Sequence, residues 1–178
     1  MSGTLVGAAE FSIPRIATAR LLLREMRRSD FDAYAENMAD PRATEHLTAA
    51  TDRRQAWRMF ASATGQWIVA GAGWWGVELT GSGALIGTVG AFFREDSFEL
   101  EIGWTLYPKF WRQGFATEAA RAALDCSLAR LGRTRAIAHV AHANVASIAV
   151  ATRLGMHLEG DVDFYGERIG RYAVGRAD

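Results

Sequence analysis

The chain reads as an α/β (α+β) domain built on a mixed, mostly antiparallel central sheet flanked by helices. Three observations predict this. Residues 67–79 and 84–94 are strand-like and are joined by Thr80-Gly81-Ser82-Gly83, a hairpin turn signal. Together with residues 98–106 they suggest an antiparallel meander. A long helical stretch then separates 98–106 from a further strand-like run at 135–142, so those two strands should lie parallel as a crossover unit.

Bulk properties bound the function. A length of 178 residues suits a single domain with a substantial core. Hydrophobic residues at 49% and charged residues at 22% are ordinary for a globular chain. Formal net charge is zero, so no global pull toward nucleic acid or an anionic membrane is expected. No apolar run approaches the ~20 residues needed to span a bilayer. The one cysteine, Cys126, excludes a disulfide framework, fits a cytoplasmic location, and reads as a core thiol rather than a nucleophile. Residues 1–17 lack a basic n-region and carry Glu10 within their apolar part, so they read as a loosely ordered leader to a single domain over 18–178.

In chain order, Leu21-Leu22-Leu23-Arg24 is a short strand. Ser29-Asp30-Phe31-Asp32 reads as an N-cap opening a helix that stops before Asp40-Pro41. A second helix is predicted over 52–63, with Thr51 as its cap. The cluster Trp67, Trp74 and Trp75 reads chiefly as packing, with an acceptor-pocket wall as the alternative. In 98–106, Phe98, Leu100, Ile102, Trp104 and Leu106 alternate with Glu99, Glu101, Gly103 and Thr105, the period of a strand. Pro108 ends it. From Ala116 the period becomes helical through Ala120, Leu124, Leu128 and Leu131, with Gly132 as the stop. After the strand at 135–142, Asn144 caps a short helix ending at Leu154-Gly155. Residues 161–165 and 168–174 form a closing hairpin across Gly166-Glu167.

The turn Trp111-Arg112-Gln113-Gly114-Phe115-Ala116 delivers the N-terminus of the long helix. Such a turn presents backbone N–H groups with no intrahelical partner at the positive end of the helix dipole, a good phosphate site where Gly and Ala admit the ligand. On spacing alone, a phosphate site and an ordinary strand-to-helix connection both remain open. The nucleotide phosphate loop G-x-x-x-x-G-K-[ST] is absent.

Glu101-Ile102-Gly103-Trp104 followed by Phe110-Trp111-Arg112-Gln113-Gly114-Phe115-Ala116-Thr117-Glu118-Ala119 resembles the acyl-CoA signature of the GNAT N-acetyltransferase superfamily. The nearest branch is that of the ribosomal-protein N-terminal acetyltransferases. The opening Thr18-x-Arg20-Leu21-Leu22-Leu23-Arg24, and Asn144-x-x-Ser147 with Leu154-Gly155-Met156, extend the likeness over nearly the whole chain. The family pattern is Gln/Arg-x-x-Gly-x-Gly/Ala; Gly114 and Ala116 match it, whereas Trp111 stands at the Gln/Arg position.

The resemblance implies acetyl-CoA as co-substrate, no metal, and direct transfer of acetyl to the amine of a small molecule or a protein N-terminus. The coenzyme would be held by Trp104, Thr105 and Leu106 at the strand end, by Arg112, Gln113, Gly114, Phe115, Ala116 and Thr117 at the turn, and by Asn144, with the central parallel strands splayed to admit it. An alkyl ammonium must lose its proton before it can attack, and Glu101 on an inner strand is the favoured base, with Glu99 as runner-up. A backbone N–H near residues 104–106 would hold the oxyanion. The tyrosine acid found in many members falls here at Ala151, and Ser147 is the substitute named for the leaving thiolate. His139 and His142 read as strand-end residues. Asp161 and Asp163 read as solvated, with attraction of a cationic amine as the alternative. A non-catalytic acyl-CoA sensor and a partner-binding domain with an incidental phosphate turn are the competing classes. Monomer and homodimer both remain open.

Overall fold

The computed structural model of the protein describes residues 11–47 and 52–175. The first half comprises β1 (Ile16–Ala17), β2 (Leu21–Arg24), α1 (Phe31–Ala39), α2 (Pro41–Thr44), α3 (Arg53–Ala70), β3 (Gly73–Leu79) and β4 (Ala84–Phe92). The second comprises β5 (Glu101–Leu106), α4 (Phe115–Leu131), β6 (Arg135–Val140), α5 (Val145–Arg153), β7 (His157–Phe164) and β8 (Glu167–Gly175). The strands form one sheet in the order β1-β2-β3-β4-β5-β6-β8-β7. Every neighbouring pair is antiparallel except β5 and β6, as the crossover argument requires.

That parallel pair has one register contact, Glu101 opposite Ile137, and the Ile137 N–H donates to the Leu100 carbonyl at 2.8 Å. Past it the two strands diverge, so Gly103–Leu106 pairs with β4 on one edge and, among the described residues, with no strand on the other. The splay expected from the resemblance is present.

Strand alternation sorts the sheet into two faces. Trp75, Val89 and Ile102 pack with Ala119, Ala120, Ala123 and Leu124 of α4 in the main core. On the other face a smaller cluster joins Met26, Tyr34 and Met38 to Ala56 and Phe60 of α3. Gly132 takes a left-handed conformation (φ 61°) that ends α4 where the sequence places its stop.

Several boundaries differ from expectation for local reasons. Trp67 belongs to α3, not to a strand. Its indole N–H donates to the Trp74 carbonyl and its ring packs on Trp75 at 4.6 Å, so tertiary contacts carry the helix through an Ile-Val pair to Gly71. The cap of α3 is Asp52, whose carboxylate accepts from the Gln55 N–H at 2.8 Å; Thr51 lies outside the described residues. Residues 98–100 are not strand, because Ser97 bonds back to Arg94 and its hydroxyl takes the Glu99 N–H, leaving Phe98 90% exposed. Ser29 is not a cap: Arg28–Asp30 is a 3-10 turn, and Asp30 accepts from the Arg27 N–H instead. Asp40-Pro41 both ends α1 and begins α2, with Asp40 as cap and proline at the first position, where its missing donor is harmless. The sheet begins ahead of Thr18, with Ile13 and Ile16 packed on the core.

Candidate active site

The turn before α4 supplies unpaired main-chain donors. Arg112 and Gly114 adopt left-handed conformations (φ 61° and 80°), and the first helical bond runs from Glu118 N–H to the Gly114 carbonyl. Among the described residues, the N–H groups of Gln113–Thr117 meet no protein acceptor. Trp111 does not contribute as the Gln/Arg of the family pattern would. Its indole N–H donates to the Leu106 carbonyl at 2.6 Å and ties the turn to the end of β5.

A cavity of about 680 Å³ runs from this turn into the splay. Trp104, Thr105 and Leu106 form one wall, and Asn144 and Ser147 face them. Arg112, Gly114, Phe115, Ala116 and Thr117 close its end. The Tyr107 N–H goes to Ile86 of β4, so alternation directs the N–H groups of Trp104 and Leu106 to the unpaired edge. An open hollow adjoins the turn, rimmed by Arg112, Arg121 and Arg153. Unpaired amides, a concave apolar channel and cationic guanidinium groups suit a long ligand with an anionic segment.

One expected contact stands apart. Gln113 does not line the cavity; its side chain turns to the Lys109 carbonyl and its own carbonyl accepts from Arg20. The Phe115 side chain is buried in the core, which leaves its N–H for a ligand. Asn144 is chiefly a cap, its carbonyl oxygen taking the Ser147 N–H at 3.0 Å. Ala151 is fully buried, so the position that carries an acid elsewhere cannot present one here.

Glu101 lies at the apex of the splay rather than on the cavity wall, 5% exposed. Arg94 grips it with two bonds, Nε to Oε2 at 2.6 Å and Nη2 to Oε1 at 2.9 Å. His139 Nδ1 stands 3.2 Å from Oε2, off the line of a well-directed hydrogen bond. Burial pushes the carboxyl up, but contacts with His139 and Arg94 outweigh it and hold Glu101 below the ordinary carboxylate range. His139, read from the sequence as a strand-end residue, lies on β6 with its ring beside the Glu101 carboxylate. Arg94 carried no sequence signal beyond its place across a turn from Glu101. Glu99 is taken up by Arg171, and Asp161 by Arg168 and His142. Cys126 is half-buried rather than fully enclosed.

Among the described residues no cluster of His, Cys, Asp or Glu is placed to hold a metal ion, and no helix is long and apolar enough to cross a membrane.

Residues 20–157 match the family model described as an acetyltransferase (GNAT) domain, and the chain belongs to that family of acetyltransferase enzymes. A crystal structure of an acetyltransferase from Agrobacterium tumefaciens superposes with a TM-score of 0.84 at 31% identity, covering 96% of this chain and 99% of the other. The uncharacterized N-acetyltransferase p20 of Bacillus licheniformis is 29% identical over 157 residues, 86% of this chain and 88% of its own. The coenzyme A complex of RimL, a ribosomal L7/L12 alpha-N-protein acetyltransferase, shares the fold with a TM-score of 0.77 at 19% identity, covering 91% of this chain and 98% of that one.

Proposed function

We propose that the protein transfers acetyl from acetyl-CoA directly to a primary amine, on a small molecule or at a protein N-terminus. The observation that carries this reading is the row of unpaired N–H groups ahead of and within the first turn of α4, of which Gly114–Thr117 line a channel between splayed parallel strands. The fold shared with a coenzyme A complex supports it.

In this reading the amides of 113–117 and the Arg112, Arg121 and Arg153 rim receive the diphosphate and the other phosphate of the coenzyme. The pantetheine arm, itself amide-bearing, pairs with the free edge at Trp104–Leu106. The same edge offers an N–H to the oxyanion as the amine attacks the thioester carbonyl. The amine's proton leaves toward Glu101 through a water, with His139 and Glu101 acting as one coupled pair and Arg94 keeping the carboxylate ionised and oriented. The thiol pKa near ~8.5 makes the thiolate a tolerable leaving group. Ser147, on the opposite cavity wall, is the hydroxyl we assign to protonate it.

The test is thiol release from acetyl-CoA across an amine panel that includes peptides with free Ala, Ser or Met termini, polyamines, amino acids and aminoglycosides. Glu101→Gln should lower kcat about 100-fold while leaving the calorimetric Kd for coenzyme A unchanged. Tight coenzyme binding without turnover on the whole panel would turn the reading to a sensor. Absence of coenzyme binding at millimolar concentration would end it.

A further inference from the structure

Outside the cavity lining, one arginine packs along three consecutive residues of the turn. Arg20 Nη1 donates to the Gln113 carbonyl at 2.9 Å. Its Nη2 stands 3.4 Å from where a Cβ on Gly114 would be, and its guanidinium lies 4.4 Å over the Phe115 ring. The same side chain reaches into the first turn of α4, where Nε donates to Glu118 Oε2 at 2.7 Å and Nη2 pairs with that oxygen at 2.6 Å. Glu118 Oε1 accepts in turn from the Arg20 backbone N–H at 3.0 Å and the Thr18 hydroxyl at 2.6 Å.

The consequence follows from peptide geometry. In a trans peptide the carbonyl and the next N–H point in opposite directions. A Gln113 carbonyl fixed toward Arg20 therefore turns the Gly114 N–H away from Arg20, and Gly114 lines the cavity. Glu118 brings a negative charge to the mouth of a helix proposed to receive an anion, and Arg20 offsets that charge with one hydrogen bond and a second close contact to the same carboxylate oxygen. No residue in the stretch 111–118 does either job for itself.

We infer that Arg20 is a positioning residue for the donor's diphosphate, acting through the main chain of Gln113–Phe115 and through Glu118 without touching the coenzyme. The inference rests on the acetyl-CoA reading above. A purely architectural tie between the opening strand and α4 would use the same contacts, so the test must separate the two.

Arg20→Met keeps the apolar stem over Phe115 and removes both the carbonyl bond and the ion pair. It should weaken coenzyme A binding by calorimetry about tenfold, the scale of one lost charge-assisted contact. Saturated kcat and the KM for the amine should stay near wild type. With S-acetylpantetheine, which has the same thioester but no diphosphate, kcat/KM should be unchanged. Arg20→Lys restores the charge beside Glu118 but cannot span to Gln113 as well, and should remain weakened. Thermal unfolding reports whether each variant is folded. An unchanged Kd for coenzyme A in folded Arg20→Met, or equal losses on both donors, would overturn the positioning role while leaving the acetyl-CoA reading intact. Failure of the wild-type protein to bind coenzyme A would overturn both.

Discussion

Among the described residues Arg24 is the least exposed charged side chain, 2% exposed on the sheet face opposite α4. It bonds both Asp30 oxygens at 2.7 and 2.9 Å, Glu78 at 2.6 Å and the Glu25 carbonyl at 2.8 Å. Removing it strands Asp30, itself 7% exposed, without a counter-ion. Arg24→Met should therefore cost about 3–5 kcal/mol in urea unfolding, far more than a lost surface pair. Glu101 makes the residue-scale case for pH. Its folded pKa is lowered, so its contribution to stability is complete above the ordinary carboxylate value of ~4.3 and is lost as pH falls through the lower folded value. Unfolding free energies of the wild type and Glu101→Gln should differ at pH 7 and converge in the acid limb. A gap that persists undiminished to pH 2 would contradict this.

Among elements, β3, β4 and β5 show how adjacent tryptophans divide their work. Trp75 is fully buried beneath α4, whereas Trp74 lies on the opposite face across Gly90 and Gly103, stacked on Phe92 at 5.1 Å. A Cβ on Gly90 would sit 2.4 Å from the Trp74 ring, and one on Gly103 2.8 Å from it. Gly90→Ala should cost roughly 1–3 kcal/mol and shift tryptophan fluorescence as the ring is displaced, with Gly103→Ala milder. The long amphipathic helix, its glycine stop and the Asn144 cap were legible because each rests on local spacing. The tail of α3 and residues 98–100 were not, because Trp67 and Ser97 follow contacts that periodicity does not encode. Gly114 and Ala116 were legible as the turn that delivers α4, but nothing in the chain signalled that Trp111 would brace that turn through the Leu106 carbonyl.

At the scale of the whole molecule, the site exists because a strand-helix-strand crossover sets two parallel strands side by side and the sheet then lets them part. That topology could be read from the order of periodic segments. The side chains around it come from remote stretches: Arg20 meets Glu118 across 98 residues, and α2 and the turn after it contribute Arg42 and His46 to the cavity. Such pairs leave no mark in a single sequence, since charges at the surface and charges at a site look alike there. The central claim is that main-chain donors ahead of α4 grip a diphosphate and so aim a thioester into the cleft between β5 and β6. A crystal structure of the coenzyme A complex tests it most directly. The account predicts diphosphate oxygens about 2.7–3.2 Å from the backbone nitrogens of residues 113–117, with the thiol end between the diverging strands and directed toward Glu101. Coenzyme bound elsewhere, or in the cleft with those nitrogens turned from the phosphates, would contradict it.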